Sequence, residues 1–271
     1  MLRFSRRSFL AASTGIAWSQ SRSPVCALTP EQEQGPYYID DRLVRRDITE
    51  GKPGVPLDLR VVVLDARNCR PLENAAIDIW HCDAAGVYSG FTAMNGAGPR
   101  GGPPPGMGPG MFDPRDFGPP PGGPPPSARR HTDATRYLRG VQLTDTSGRA
   151  EFATLYPGWY FGRAIHIHLK VHVNNTGHVC HTGQLFFPEE ITSDVAKLEP
   201  YSTRTNVHRT SQDEDGVFRG QHGDATLMKL DRLEARSNAG GFLATIALAV
   251  DPEATPAPVG FGPPGRFSFR Q

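Results

Sequence analysis

The sequence predicts an all-β protein: a β-sandwich of mainly antiparallel strands with long Gly/Pro-rich loops. Short apolar or alternating runs recur along the chain, and Gly/Pro-rich turns separate them. No long stretch shows helical periodicity. Asp145-Thr146-Ser147-Gly148, between two of the runs, is a turn signal that predicts a hairpin.

Residues 57–64 (Leu-Asp-Leu-Arg-Val-Val-Val-Leu) and 75–80 (Ala-Ala-Ile-Asp-Ile-Trp) read as the first strands. Residues 138–144 and 149–154 flank the hairpin turn, and 164–173, 183–187 and 242–249 complete the set. Residues 224–235 read as a short helix. No linker splits the strands into two sets, so 28–250 is expected to form one domain. Within it, 22 of the 31 residues from 96 to 126 are Gly or Pro. Such a segment cannot bury enough apolar surface to offset its ordering entropy, and reads as a disordered insertion in a loop. Residues 251–271 form a similar Pro/Gly-rich tail.

The formal net charge of the 271-residue chain is +1, which gives no reason to expect nucleic acid or an acidic membrane as partner. Ser5-Arg6-Arg7-Ser8-Phe9-Leu10 precedes a short, mildly apolar stretch. Twin arginines in that setting are the mark of a Tat export signal, and the stretch is too short for stable membrane insertion. Cleavage after Ala27 would release a periplasmic or secreted protein and remove Cys26 with residues 1–27. Of the remaining cysteines, Cys69 and Cys82 flank one predicted strand and are candidates for a disulfide, with Cys180 left over.

His166-Ile167-His168 stands out within 164–173. On a strand, residues i and i+2 project to the same face, so these histidines point one way, close enough to share a metal ion. Ile165, Ile167, Leu169, Val171 and Val173 point the other way, into a core. Two loop tyrosines, Tyr88 in Gly86-Val87-Tyr88-Ser89-Gly90 and Tyr160 after Pro157-Gly158-Trp159, would complete an N2O2 donor set. Phenolate is a hard anionic donor suited to a trivalent ion such as Fe(III), and imidazole also suits iron. His172, on the same strand face, and His81, His178 and His181 read as structural or exposed residues.

The motifs around these residues resemble those of the intradiol ring-cleavage dioxygenases, the protocatechuate 3,4-dioxygenase and catechol 1,2-dioxygenase superfamily, in a compact, exported form. The resemblance spans roughly residues 35–250. It runs through Gly35-Pro36-Tyr37-Tyr38, the segment from Asn74 to Tyr88, Leu138 to Asp145, Tyr156 to His168, and His181 to Phe187. It implies a mononuclear non-haem Fe(III) held by Tyr88, Tyr160, His166 and His168. Arg163 falls on the family's active-site arginine and Gln184 on a glutamine lining the pocket. Tyr160 falls on the tyrosinate that a substrate displaces. The implied partners are a catecholic small molecule and O2, with homo-oligomers compatible with the resemblance. The implied reaction gives a cis,cis-muconate-type dicarboxylic acid. Only five residues separate Tyr160 from His166, fewer than in the protocatechuate enzymes, which predicts a more open pocket. The N-terminal helical dimerisation region of the catechol enzymes is missing from the pattern. For a carboxylated ring, Arg136 and Arg139 are the further candidate cations.

Two other functional classes compete. A non-catalytic β-sandwich binding module could keep the fold but would be expected to lose ligands. A zinc or cupin-type hydrolase could use His-x-His, but needs a third histidine or a carboxylate nearby.

Overall fold

The computed structural model describes residues 26–94, 131–173, 177–233 and 240–260. The Tat-type motif, the insertion at 96–126 and the end of the tail lie outside them. Two sheets face one another. The first contains β1 (Pro56–Asp65), β2 (Arg70–Pro71), β5 (Arg149–Leu155), β8 (Lys229–Leu233) and β9 (Gly241–Val250). The second runs in the order β4 (Arg139–Leu143), β3 (Ala76–Trp80), β6 (His166–Val173), β7 (His178–Phe186). Among the described strands the pairings are antiparallel except β1 with β9, which is parallel from Leu57↔Phe242 to Asp65↔Val250. The architecture is an all-β sandwich.

Alternation explains the layering. In β1, Leu57, Leu59, Val61 and Val63 are buried while the residues between them are more exposed. They meet Ile77 and Ile79 of β3 and Ile167, Leu169 and Val171 of β6 in one core with Phe152 and Phe242. Fully burying side chains of this size stabilises the fold by about 1.5–3 kcal/mol each.

Several element boundaries differ from expectation. The described part of the expected helix, residues 224–233, is not a helix: a 3-10 turn at Gly223–Thr226 is followed by β8, which pairs with β9 from Lys229↔Thr245 to Leu233↔Gly241. β8 is largely exposed, so no second buried face marks it in the sequence. β7 begins at His178, not 183, and its register with β6 shifts at Val171/His172. Two short helices, α1 (Glu189–Val195) and α2 (Gly216–Gly220), also appear.

The cysteines pair differently as well. Cys69 bonds to Cys26, not to Cys82. Cys82 is buried and free, its thiol directed at the Gly158 carbonyl at 3.4 Å. A strand of about five residues separates its ends too far for a disulfide to bridge them, and Cys82 lies past the far end of β3. The N-terminal segment instead lies along the sheets. Thr29 N–H donates to the Ala249 carbonyl at 2.9 Å, and Gln32 N–H to the Thr182 carbonyl at 2.9 Å.

His81 links the layers. One ring nitrogen lies 2.8 Å from Thr154 Oγ1 of β5 and the other 2.8 Å from the Cys82 carbonyl. Burial pushes its pKa down to about 4. The native state then binds fewer protons than the unfolded chain between about pH 4 and the unperturbed value near 6.5. Stability from this group is complete above about pH 6.5 and is lost as pH falls through that window, by about 3 kcal/mol in all. In urea unfolding from pH 7 to 4, wild type should lose more stability than His81→Gln, a difference in which groups common to both proteins cancel. An equal decline in the variant would place the acid sensitivity in another group.

Candidate active site

Three cross-strand registers form a row on the face of the second sheet opposite the core. Arg139 pairs with Trp80, Trp80 with His168, and His168 with Gln184. His166, two residues before His168, shares that face. The Trp80 and His168 rings stack at 5.0 Å, only 3° from parallel. Gly35, at φ +69°, lies against the same imidazole, and a Cβ there would sit 3.0 Å from His168 Cε1. Stacking therefore fixes this ring, whose Nδ1 is buried without a hydrogen-bond partner.

Two loops bring the tyrosines to the histidines. Gly158 N–H donates to the Asp83 carbonyl at 3.1 Å, tying 156–160 to the loop after β3. Gly86, at φ +75°, lies so close to the Trp159 carbonyl that a Cβ would come within 2.2 Å. Asp83 Oδ1 accepts from Ala85 and Val87 N–H, both at 3.0 Å, folding the chain toward Tyr88. On its other side, Ser89 is held by Arg139, whose Nε and Nη2 donate to the Ser89 hydroxyl and carbonyl at 2.8 and 2.7 Å.

Four polar atoms meet as a result. Tyr88 Oη is 3.4 Å from Tyr160 Oη, Tyr160 Oη is 3.1 Å from His166 Nε2, and His166 Nε2 is 3.0 Å from His168 Nε2. All four residues are buried. Tyr37 roofs them, stacked on Tyr88 at 4.3 Å and edge-on to Phe91 and Tyr160. The short connection between Tyr160 and His166 thus does not leave the donors open. His172, His178 and His181 lie elsewhere, against Gly177, Ala254 and Glu31 respectively.

The donor set fits a trivalent metal ion. Atoms bound to one ion at about 2.1 Å lie about 3.0–3.4 Å apart at tetrahedral to octahedral angles, the spacing seen here. The His166 Nδ1–H donates to the Ala164 carbonyl at 2.6 Å, which leaves the Nε2 lone pair facing the other donors. Burial holds both imidazoles far below the usual histidine range, so they are neutral. Burial also raises both phenols above the usual tyrosine value, and the Arg163 charge opposes that rise. Phenolates at this site therefore need a strong local positive charge. Among the described residues no group of three His, Cys, Asp or Glu could hold a metal ion, so the third ligand of a zinc hydrolase has no candidate.

Arg163 is buried beside this cluster and fully engaged. Its Nε lies 3.1 Å from both Asp215 oxygens, Nη1 is 3.2 Å from Glu33 Oε1, and Nη2 is 2.5 Å from Gln184 Oε1. Gln184 also donates to the Glu33 carbonyl at 2.8 Å. Burial raises the Glu33 pKa to about 7 despite the adjacent guanidinium. Neither Glu33 nor Asp215 is apparent in the sequence: a single acidic residue in a loop carries no periodic signal. Arg136 is partnered by Asp41 and nearby carbonyls, so it sits in a surface network.

The fold has counterparts among solved structures. The intradiol ring-cleavage dioxygenase from Tetranychus urticae is 30% identical, with a TM-score of 0.69, over 86% of this chain and 98% of that one. The chain belongs to the intradiol ring-cleavage dioxygenase family. A second dioxygenase structure is 29% identical with a TM-score of 0.67, over 85% of this chain and 98% of that one. The hydroxyquinol 1,2-dioxygenase of Pseudomonas putida, at 17% identity and a TM-score of 0.51, shares the fold over 85% of this chain and 68% of its own. No protein-family profile and no curated protein sequence matches the chain.

Proposed function

We propose that this intradiol dioxygenase cleaves a catecholic ring between its two hydroxylated carbons, using O2 and an Fe(III) held by Tyr88, Tyr160, His166 and His168. The convergence of these two phenols and two neutral imidazoles at 3.0–3.4 Å carries the reading. Bound there, Fe(III) supplies a Lewis acid that two adjacent catechol oxygens can chelate and a route for electrons between ring and O2.

The chain's own groups do the rest. With the ion bound, Tyr160 would be the donor that gives way to substrate, as the resemblance implies. Its burial makes the free phenolate a strong base, able to take a catechol proton at Oη. Arg163 borders both tyrosines as a fixed cation and stabilises negative charge that develops on the ring. Gln184 holds Arg163 and faces the same side as His168. The aromatic roof of Tyr37, Phe91 and Trp80 excludes water from the ligands. The product is a cis,cis-muconate-type dicarboxylic acid carrying both atoms of O2.

Oxygen uptake with catechol, protocatechuate, hydroxyquinol and chlorocatechols is the test. The iron-loaded protein should be coloured by tyrosinate-to-metal charge transfer and consume one O2 per ring of at least one of them. Coloured protein that consumes no O2 with any would make the chain a binding module.

We also propose export through the Tat pathway. The twin arginines support it, and the Cys26–Cys69 bond suits an oxidising compartment. Cleavage after Ala27 would remove Cys26, so retaining that bond would require a cut upstream of Cys26. Among the described residues no helix is long and apolar enough to cross a membrane.

A further inference from the structure

We propose that Asp215 is the positioning residue of this site, a single buried carboxylate that aims both the Arg163 guanidinium and the His166 imidazole. The proposal rests on the iron-site reading above and extends it to a residue outside the donor set.

Asp215 has no exposed surface. Both of its oxygens lie 3.1 Å from Arg163 Nε. Oδ2 also accepts from Ala164 N–H at 2.9 Å, and Oδ1 from Val217 N–H at 2.8 Å. The Ala164 carbonyl in turn accepts the His166 Nδ1–H at 2.6 Å. Ala164 is thus pinned at both ends, by the carboxylate at its N–H and by the imidazole at its C=O. Turning the backbone at Ala164 would release His166 and move Arg163 together.

The surrounding segment reinforces this grip. Thr210 Oγ1 accepts from Gly162 N–H at 3.0 Å, and the Val207 carbonyl accepts from Trp159 Nε1 at 2.9 Å. Residues 207–215 therefore hold the chain on both sides of Tyr160, at Trp159 and from Gly162 to Ala164. Charge-assisted bonds are roughly twice as strong as neutral ones. Capping α2 alone would use only the Val217 contact, yet the carboxylate spends its other bonds on the Arg163–Ala164 unit.

Asp215→Asn keeps the side-chain shape but loses the charge and one acceptor. Three readouts on the full chain test it. In metal-free protein the His166 Nδ1–H should exchange faster than in wild type by NMR. In the iron-loaded protein, release to a chelator should quicken about tenfold, as for other groups that orient metal ligands. Turnover should fall about 10²-fold with KM changed less than about threefold. Exchange, iron release and kcat all within about twofold of wild type would overturn the proposal. Should wild type bind no iron, the parent reading fails, and the His166 proton alone then decides for or against Asp215.

Asp215→Asn leaves buried Arg163 with Glu33 as its charged partner and Gln184 as its neutral one, and a variant that fails to fold is a real outcome. Arg163→Gln with Asp215→Asn removes both charges. The double variant should release iron and exchange the His166 proton faster than Arg163→Gln alone. Equal rates in the two would show that the carboxylate does not act on His166.

Discussion

His168→Ala is expected to purify colourless, with its iron affinity lowered by at least about 100-fold. Removing even an outer group that orients a ligand costs about 10–100-fold, and this change removes a ligand itself. Three donors would remain, and no neighbour can replace the fourth. Gln184 pairs with His168 across the sheet but already serves Arg163 and Glu33. His172 is on the same strand, yet its ring faces the Gly177 carbonyl at 3.3 Å. The variant also leaves the Trp80 ring without its stacking partner, so some loss of stability, about 2–3 kcal/mol, should accompany the metal loss. His166→Ala should behave alike, whereas His172→Ala should keep iron and colour. Metal analysis and the visible spectrum decide it. Full iron in either ligand variant would sink the assignment.

What was legible in the sequence follows the range of the interactions. The alternation over 164–173 is a local signal, and it placed His166 and His168 on one face and the isoleucines and valines on the other. The tyrosines came from motifs, because no periodicity tells a loop phenol where it points. That Tyr88 and Tyr160 meet depends on Gly86 passing the Trp159 carbonyl and on Asp83 folding its own loop. The carboxylates around Arg163 were hidden: Asp215 is 52 residues away and Glu33 130. The cysteines failed for the same reason. Cys69 and Cys82 are near in sequence, but β3 carries Cys82 away from the end where Cys69 meets Cys26. The 224–235 segment misled because β8 is an exposed edge strand with no buried stripe of its own.

Arg163→Lys should retain iron and colour yet lose about 10²–10³ in turnover, the typical cost of one preorganised electrostatic group. The structure explains why a lysine cannot substitute. The guanidinium uses three nitrogens at once, Nε on Asp215, Nη1 on Glu33 and Nη2 on Gln184. That planar fork has one orientation, so its charge stays beside Tyr88 and Tyr160. A lysine ammonium is a point donor on a flexible stem. It can pair with Asp215 or with Glu33, but cannot span both while holding Gln184. The charge survives and its placement does not. The four donors contact one another and not the guanidinium, so iron should stay. Substrate should still shift the charge-transfer band, because under the proposed mechanism chelation would need only the metal and the departure of Tyr160. Stopped-flow spectra beside oxygen uptake separate these steps. Near-normal turnover would remove Arg163 from the chemistry. Loss of iron would instead make it a tie between the Tyr160 loop and the His166 strand, whose pinning at Ala164 would then depend on the arginine as well as on Asp215.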